Sequence, residues 1–247
     1  RMTDNSSDQP LVAIDPAWPR VSLADATAAL TAPGSKFEID VATIRGIPTR
    51  AWTHAPADLG VLLDLSRTHG ERLATILDDE RVSFEAQYRA TATLAEAFVD
   101  RGIGKGDRIA FATRNLPEWP VIFFAIVSVG AIAVPLNAWW TGDELSYGIR
   151  DSGARLVIVD AERYDRLAAR RADMPDVGEW IVTRAPDAID GTTALETLIG
   201  RPAGWAALPA TARPHVALAR DDPATTFYTS GTTGRPPGAL GPHRTHP

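Results

Sequence analysis

Between Asp107 and Thr183 short apolar runs alternate with segments of helical periodicity, and this pattern restricts the fold more than any other feature. Asp107 to Thr113, with Ile109 and Phe111 on one side, reads as a strand. Pro117 suits a first helical turn, and Trp119 to Val129 is apolar nearly all round, as in a buried helix. Ala131 to Leu136 is an apolar run of the kind found in a parallel sheet covered on both faces. Thr141-Gly142-Asp143-Glu144 is a capping box opening a helix to about Asp151. Arg155 to Asp160 is the next strand, Ala161 to Ala172 a mixed-charge helix and Trp180 to Thr183 a further strand. Strands separated by helices pair in parallel, so the expected class is α/β, layered, with a mostly parallel sheet flanked by helices.

The flanking segments carry weaker signals. Residues 1–20 are polar, rich in Pro and Asp and without periodicity, which predicts a flexible leader ahead of the ordered residues 21–247. Ser22 can cap a short helix through Leu30, ended by Pro33-Gly34. Phe37, Ile39 and Val41 alternate as in a half-buried strand, and Gly46 and Pro48 leave Thr43 to Trp52 a weak strand at most. Asp58 to His69 reads as a helix closed by Gly70, and Leu73 to Leu77 pairs with Arg81-Val82 across Asp78-Asp79. Ser83 caps a helix with Tyr88, Thr91, Leu94, Ala95, Phe98 and Val99 on one face, ended at Gly102. Gly102 to Gly106 follows that helix and precedes a strand, the reverse of a nucleotide loop, and is read as a C-cap and turn. The prolines and alanines of Pro202 to Ala219 predict a connector over the surface.

Near the end lies Thr226-Phe227-Tyr228-Thr229-Ser230-Gly231-Thr232-Thr233-Gly234-Arg235-Pro236-Pro237-Gly238. Its first four residues are β-branched or aromatic and favour a strand, which should stop near Ser230 where glycines permit positive φ. The hydroxyls of Thr229, Ser230, Thr232 and Thr233, beside the N–H groups of Gly231 and Gly234, make a donor set suited to phosphate oxygens. A Ser/Thr/Gly cluster can equally be a plain surface turn. It is not a Walker A loop, because Pro236 stands where that pattern needs Gly and no Lys-Ser or Lys-Thr follows.

The string Tyr228 to Gly238 resembles the phosphate loop of the adenylate-forming (AMP-binding) superfamily, which includes acyl-CoA synthetases, luciferases and peptide-synthetase adenylation domains. Gly106-Asp107-Arg108-Ile109-Ala110, Asn115-x-Pro117-Glu118-Trp119, Gly130 to Asn137 and Glu144-Leu145-x-Tyr147 resemble, in the same order, segments that precede that loop in acyl-CoA synthetases. The resemblance runs from about Asp58 to Gly238 and is strongest to fatty-acyl and aryl-CoA synthetases. One position departs: the family has Lys where this chain has Pro237, which removes a cation and a backbone donor together.

The resemblance implies the N-terminal part of an adenylate-forming domain. Its reaction joins a carboxylic acid to the α-phosphate of ATP with Mg2+, releasing pyrophosphate, after which coenzyme A displaces AMP. Thr229, Ser230, Gly231, Thr232, Thr233 and Gly234 would donate to the phosphates, where charge accumulates. The family's catalytic residues are expected beyond Pro247 and its C-terminal domain is absent from these 247 residues, so this chain is expected not to catalyse alone. The other reading is a non-catalytic nucleotide-binding or interaction module on the same scaffold, which Pro237 favours.

Composition bounds the partners. A formal net charge of -6 gives no basic footprint for nucleic acid. The apolar run Val121 to Leu136 is shorter than the roughly 20 residues of a membrane span and is interrupted by Gly130 and Pro135. The absence of cysteine and of a signal-like leader fits a cytoplasmic location. His243 and His246 lack a carboxylate or third ligand nearby in sequence, so no metal site is expected. Trp139-Trp140 either lines an acyl site or packs, and self-association through uncovered apolar faces and sheet edges is expected.

Overall fold

The structure, a computed structural model, describes residues 20–229 and 236–246. Its backbone divides into two compact units, Arg1–Ala55 and Pro56–Pro247. In the first, α1 (Leu23–Thr31) starts at Ser22, whose side chain accepts the Asp25 N–H at 3.1 Å. β1 (Ile39–Ile44) and β2 (Ile47–Trp52) form an antiparallel hairpin. The weak-strand expectation for Thr43 to Trp52 is corrected by Arg45 and Gly46, whose φ values of 50° and 82° make the tight two-residue turn that suits hairpin twist. Pro48 is tolerated because it lies in a two-stranded ribbon. The half-buried expectation also fails: Val41 is 62% exposed and Phe37 lies before the strand.

The second unit opens with α2 (Leu59–Ser66), capped by Asp58, and a 3-10 turn over Arg67–His69. The hairpin of β3 (Leu73–Leu77) and β4 (Glu80–Ser83) leads into α3 (Phe84–Asp100), whose cap is Ser83. Then follow β5 (Arg108–Ala112), α4 (Glu118–Ser128), β6 (Ile132–Pro135), α5 (Gly142–Ser152), β7 (Leu156–Asp160), α6 (Ala161–Leu167) and β8 (Glu179–Thr183). β9 (Thr193–Ala194), α7 (Leu195–Ile199), β10 (Pro223–Tyr228) and β11 (Gly238–Pro242) complete it. The seven-stranded sheet has the order β11-β10-β6-β5-β7-β8-β9, parallel throughout except for the β10–β11 pair. The expected α/β class is the observed one.

The apolar runs are continuous because both faces of the sheet are covered. Ile109 and Phe111 of β5, with Leu156 and Ile158 of β7, pack among α3 and α4 residues such as Leu94, Phe98, Ile122 and Ile126. The alternate residues Ala110, Ala112, Val157 and Val159 face Leu145, Ile149 and Leu167 of α5 and α6. Each large side chain withdrawn from water in these layers contributes about 1.5–3 kcal/mol.

Three expectations need correction, and three elements were not foreseen. Val99 is 46% exposed and leaves the buried face of α3. The helix read over Ala161 to Ala172 ends at Leu167 and tightens into a 3-10 turn over Ala168–Asp173. Pro202 to Ala219 is not wholly a surface connector, since Pro202–Ala207 forms a 3-10 turn that buries Trp205 in the layer beside α3. Arg89 of α3 holds that turn by donating to Ala206 O at 2.9 Å and Leu208 O at 3.1 Å. Lastly, β9, α7 and β11 carry too little periodicity to be seen in advance: β9 is two residues long, and β11 contains two glycines and a proline.

Candidate active-site loop at the end of β10

β10 extends the sheet beyond β6, pairing in parallel through Thr225 and Ala133, and so ends on the same side as β5, β6 and β7. Open α/β sheets bind ligands outside these carboxyl ends. The chain returns as β11, with Tyr228 opposite Gly238 as the last pair. Thr229 and Pro237, the first residues outside that pair, therefore stand at the edge of the sheet where such folds bind ligands. Thr229, the first nominated phosphate donor, is exposed, and its N–H donates to Pro237 O at 3.4 Å. Ser230, Gly231, Thr232, Thr233 and Gly234 lie outside the described residues.

The mouth of the loop is shaped by a close approach. A Cβ at Gly238 would stand 3.0 Å from Thr226 Cγ2 and 3.2 Å from Tyr228 Cζ, so the last glycine of the string leaves room for the Tyr228 ring rather than for an unusual φ. That ring lies edge-on to Trp140 and Tyr147, with centroids 6.0 and 6.3 Å away. Its hydroxyl reaches two acceptors on α5, Asp151 Oδ2 at 2.8 Å and Gly148 O at 3.2 Å. Burial and the Asp151 carboxylate both push the phenol pKa up, so it stays protonated and donates. On the returning side Tyr147 Oη donates to Pro236 O at 3.4 Å.

The base of the hairpin is held equally firmly. His243 N–H donates to Asp222 O at 3.1 Å, and Lys105, from the turn before β5, pairs with Asp222 at 2.6 Å. The His243 ring is buried, and its Nδ1 accepts the Leu59 N–H at the start of α2 at 3.2 Å. His246 Nε2 lies 2.8 Å from Thr225 Oγ1. Each imidazole thus has one nitrogen in a contact that holds the fold, and the described residues contain no group of three or more metal-ligating side chains. Burial pushes both imidazole pKa values down.

The two tryptophans part company. Trp140 is half-buried against Tyr228, whereas Trp139 is 69% exposed with the Arg114 guanidinium 4.0 Å from its ring centroid. Sequence reasoning did not single out Tyr147 and Asp151, because their segment reads completely as a capped amphipathic helix. Only the Glu144-Leu145-x-Tyr147 pattern hinted at more.

Comparison with known proteins places this segment within a family match. A model of the AMP-binding enzyme family covers residues 64–246. The chain belongs to that family. Among curated relatives, the 3-hydroxybenzoate--CoA/4-hydroxybenzoate--CoA ligase of Thauera aromatica is 31% identical over 195 residues, 73% of this chain and 33% of the relative. A crotonobetaine/carnitine--CoA ligase of Salmonella enteritidis is 29% identical over 187 residues, 73% of this chain and 35% of the relative. The chain spans about a third of the length of these relatives. The crystal structure of the anthranilate CoA ligase AuaEII with anthranoyl-AMP superposes with a TM-score of 0.68 at 24% identity, over 77% of this chain and 36% of that one, a likeness of fold. CoA ligases are thus the recurring relatives of this member of the family, and the acids in their names range from aryl to carnitine-like. No helix among the described residues is long and apolar enough to cross a membrane.

Proposed function

We propose that these residues are the N-terminal portion of an ATP-dependent acyl-CoA ligase, which activates a carboxylic acid as its adenylate and passes it to coenzyme A. The observation that carries the reading is the Tyr228–Gly238 pair at the carboxyl end of β10, which brackets the string that resembles the family's phosphate loop. Thr229, Ser230, Gly231, Thr232, Thr233 and Gly234 are proposed as donors to the triphosphate. Preorganised N–H and hydroxyl donors there offset the charge that grows on the leaving pyrophosphate. Mg2+ belongs to the reading as a companion of ATP and takes most of its ligands from phosphate and water. The described residues offer no cluster of carboxylates or imidazoles to hold it unaided. The relatives named above leave both aryl and aliphatic acids open, fatty acids and a place in lipid metabolism among them.

The 247-residue polypeptide is proposed to bind ATP weakly and not to form acyl-adenylates by itself, in the cytoplasm as elsewhere. Positioning contributes about 7–11 kcal/mol to such a reaction, and these residues amount to about a third of the relatives' length. A non-catalytic nucleotide-binding module is the second reading, and Pro237 favours it because a loop without its cation holds pyrophosphate less well. Calorimetric titration with ATP and AMP, with acid-dependent ATP–pyrophosphate exchange alongside, tests both. ATP binding more tightly than AMP without exchange is expected. Equal affinities would overturn the phosphate-loop reading, and exchange above the blank would overturn the proposed inactivity.

A further inference from the structure

Resting on the phosphate-loop reading, we infer that α5 is the clamp that sets the width of the loop mouth, and that Asp151 and Tyr147 are positioning residues for triphosphate binding. The two stand one turn apart on one face of α5. They reach opposite ends of the loop: Asp151 Oδ2 accepts from Tyr228 Oη at 2.8 Å, and Tyr147 Oη donates to Pro236 O at 3.4 Å. The only described backbone bond that crosses the mouth beyond the last strand pair is the long one from Thr229 N to Pro237 O, 3.4 Å. Side chains from a separate helix thus tie down the residues on both sides of the mouth.

Gly148 shows that α5 is placed for this contact at some cost. Glycine inside a helix disfavours it by roughly 1 kcal/mol relative to alanine. Here a Cβ would stand 2.9 Å from Leu136 Cδ2 and 3.1 Å from Trp140 Cζ3, so glycine lets α5 lie closely against the end of β6. The same residue offers its carbonyl to Tyr228 Oη at 3.2 Å. Helix, strand end and loop mouth are thereby brought within one side chain's reach.

Asp151→Ala removes the acceptor, while Asp151→Asn keeps a carbonyl oxygen for the phenol. Amide hydrogen exchange at Thr229 and Gly238 reads the clamp without ligand, and the amides of β5 and β7 report on global folding. In Asp151→Ala, exchange at Thr229 and Gly238 should rise, and ATP affinity should fall, by about three- to tenfold, the worth of one hydrogen bond. Asp151→Asn should restore most of both, and Tyr147→Phe should show a smaller effect of the same sign. Unchanged exchange in Asp151→Ala overturns the clamp. Faster exchange with unchanged ATP affinity overturns the positioning role. If the parent binds no ATP yet the exchange response appears, the clamp stands and the phosphate reading beneath it fails.

Discussion

Lowering the pH from 7.5 to 5.5 should cost this fold stability through His243. Because Leu59 N–H donates to its Nδ1, the ring must carry its proton on Nε2, which is buried and has no hydrogen-bond partner among the described residues. Protonation of Nδ1 would break the Leu59 bond and set a positive charge against the start of α2, where the helix already presents unpaired N–H groups. Burial lowers the pKa most. The carboxylates of Asp58 and Asp222 act the other way, and His246 and Lys105 add to the lowering. A histidine whose folded pKa is depressed binds more protons when unfolded. Its contribution is therefore complete above the unfolded pKa of about 6.5 and declines below it, by at most about 1.4 kcal/mol per pH unit. Between pH 7.5 and 5.5 the ceiling is about 1.4 kcal/mol, since the unfolded ring is then about ten-to-one protonated. Urea unfolding of the parent and of His243→Gln at both pH values isolates the effect, because every other titrating group is common to the two. The variant should be less stable at pH 7.5 by about 1–2 kcal/mol and should lose less on acidification. Equal losses in parent and variant would refute the reasoning.

Trp205→Ala should destabilise by about 3–5 kcal/mol, the usual cost of emptying a fully buried aromatic site, and a loss below 1 kcal/mol in urea unfolding would mean that the turn over Pro202–Ala207 does not pack on α3. Gly238→Ala should cost about 1–3 kcal/mol, because its Cβ would press on Thr226 and Tyr228, and unchanged stability would contradict the close approach. Pro237→Lys should tighten ATP binding by roughly tenfold and AMP binding far less, since a charge-assisted contact is worth about 1.5–3 kcal/mol before the lysine is ordered. Equal ATP affinities by calorimetry would remove position 237 from phosphate binding. Self-association is expected at micromolar concentration, because β11 has no further neighbour in the sheet among the described residues and Leu240 and Phe227 are 58% and 40% exposed. A single monomeric boundary across that range in sedimentation would argue against it.

The sheet was legible because its signals are local and mutually consistent. Asp58, Ser83 and Thr141 each cap the helix that follows, and the apolar runs of β5, β6 and β7 match a sheet buried on both faces. Where tertiary contacts decide, the reading fell short. Nothing local distinguishes Trp205 from a tryptophan on a surface connector, since its burial depends on Arg89 gripping the turn from α3. Pro48 and Gly46 look like breakers until Arg45 adopts a positive φ and makes them part of a hairpin. At the candidate site the nominated donors followed from the loop's own chemistry, and of them only Thr229 lies among the described residues, exposed just after β10. Tyr147 and Asp151 did not, because a residue that acts on a distant loop carries no mark of it in its own helix.

The string Tyr228 to Gly238 answers to two physical demands that can separate. Tyr228 and Gly238 are a packing pair: the ring needs the missing Cβ, and the phenol needs α5. They would be required to close this hairpin whether or not anything bound there. The hydroxyls and glycines between them are proposed to serve a phosphate, as would a lysine in place of Pro237, and none of these belongs to that pair. A family match across the whole string is therefore firm about the fold of the hairpin and less so about its ligand. Pro237 falls in the second group: its carbonyl still accepts from Thr229, as any residue's would, while its missing N–H and missing charge matter only to an anion in the loop. Position 237 is thus where the two proposed readings, ligase and bare scaffold, make different predictions. Measuring ATP binding with proline and with lysine there separates what the loop is built to be from what it is built to hold.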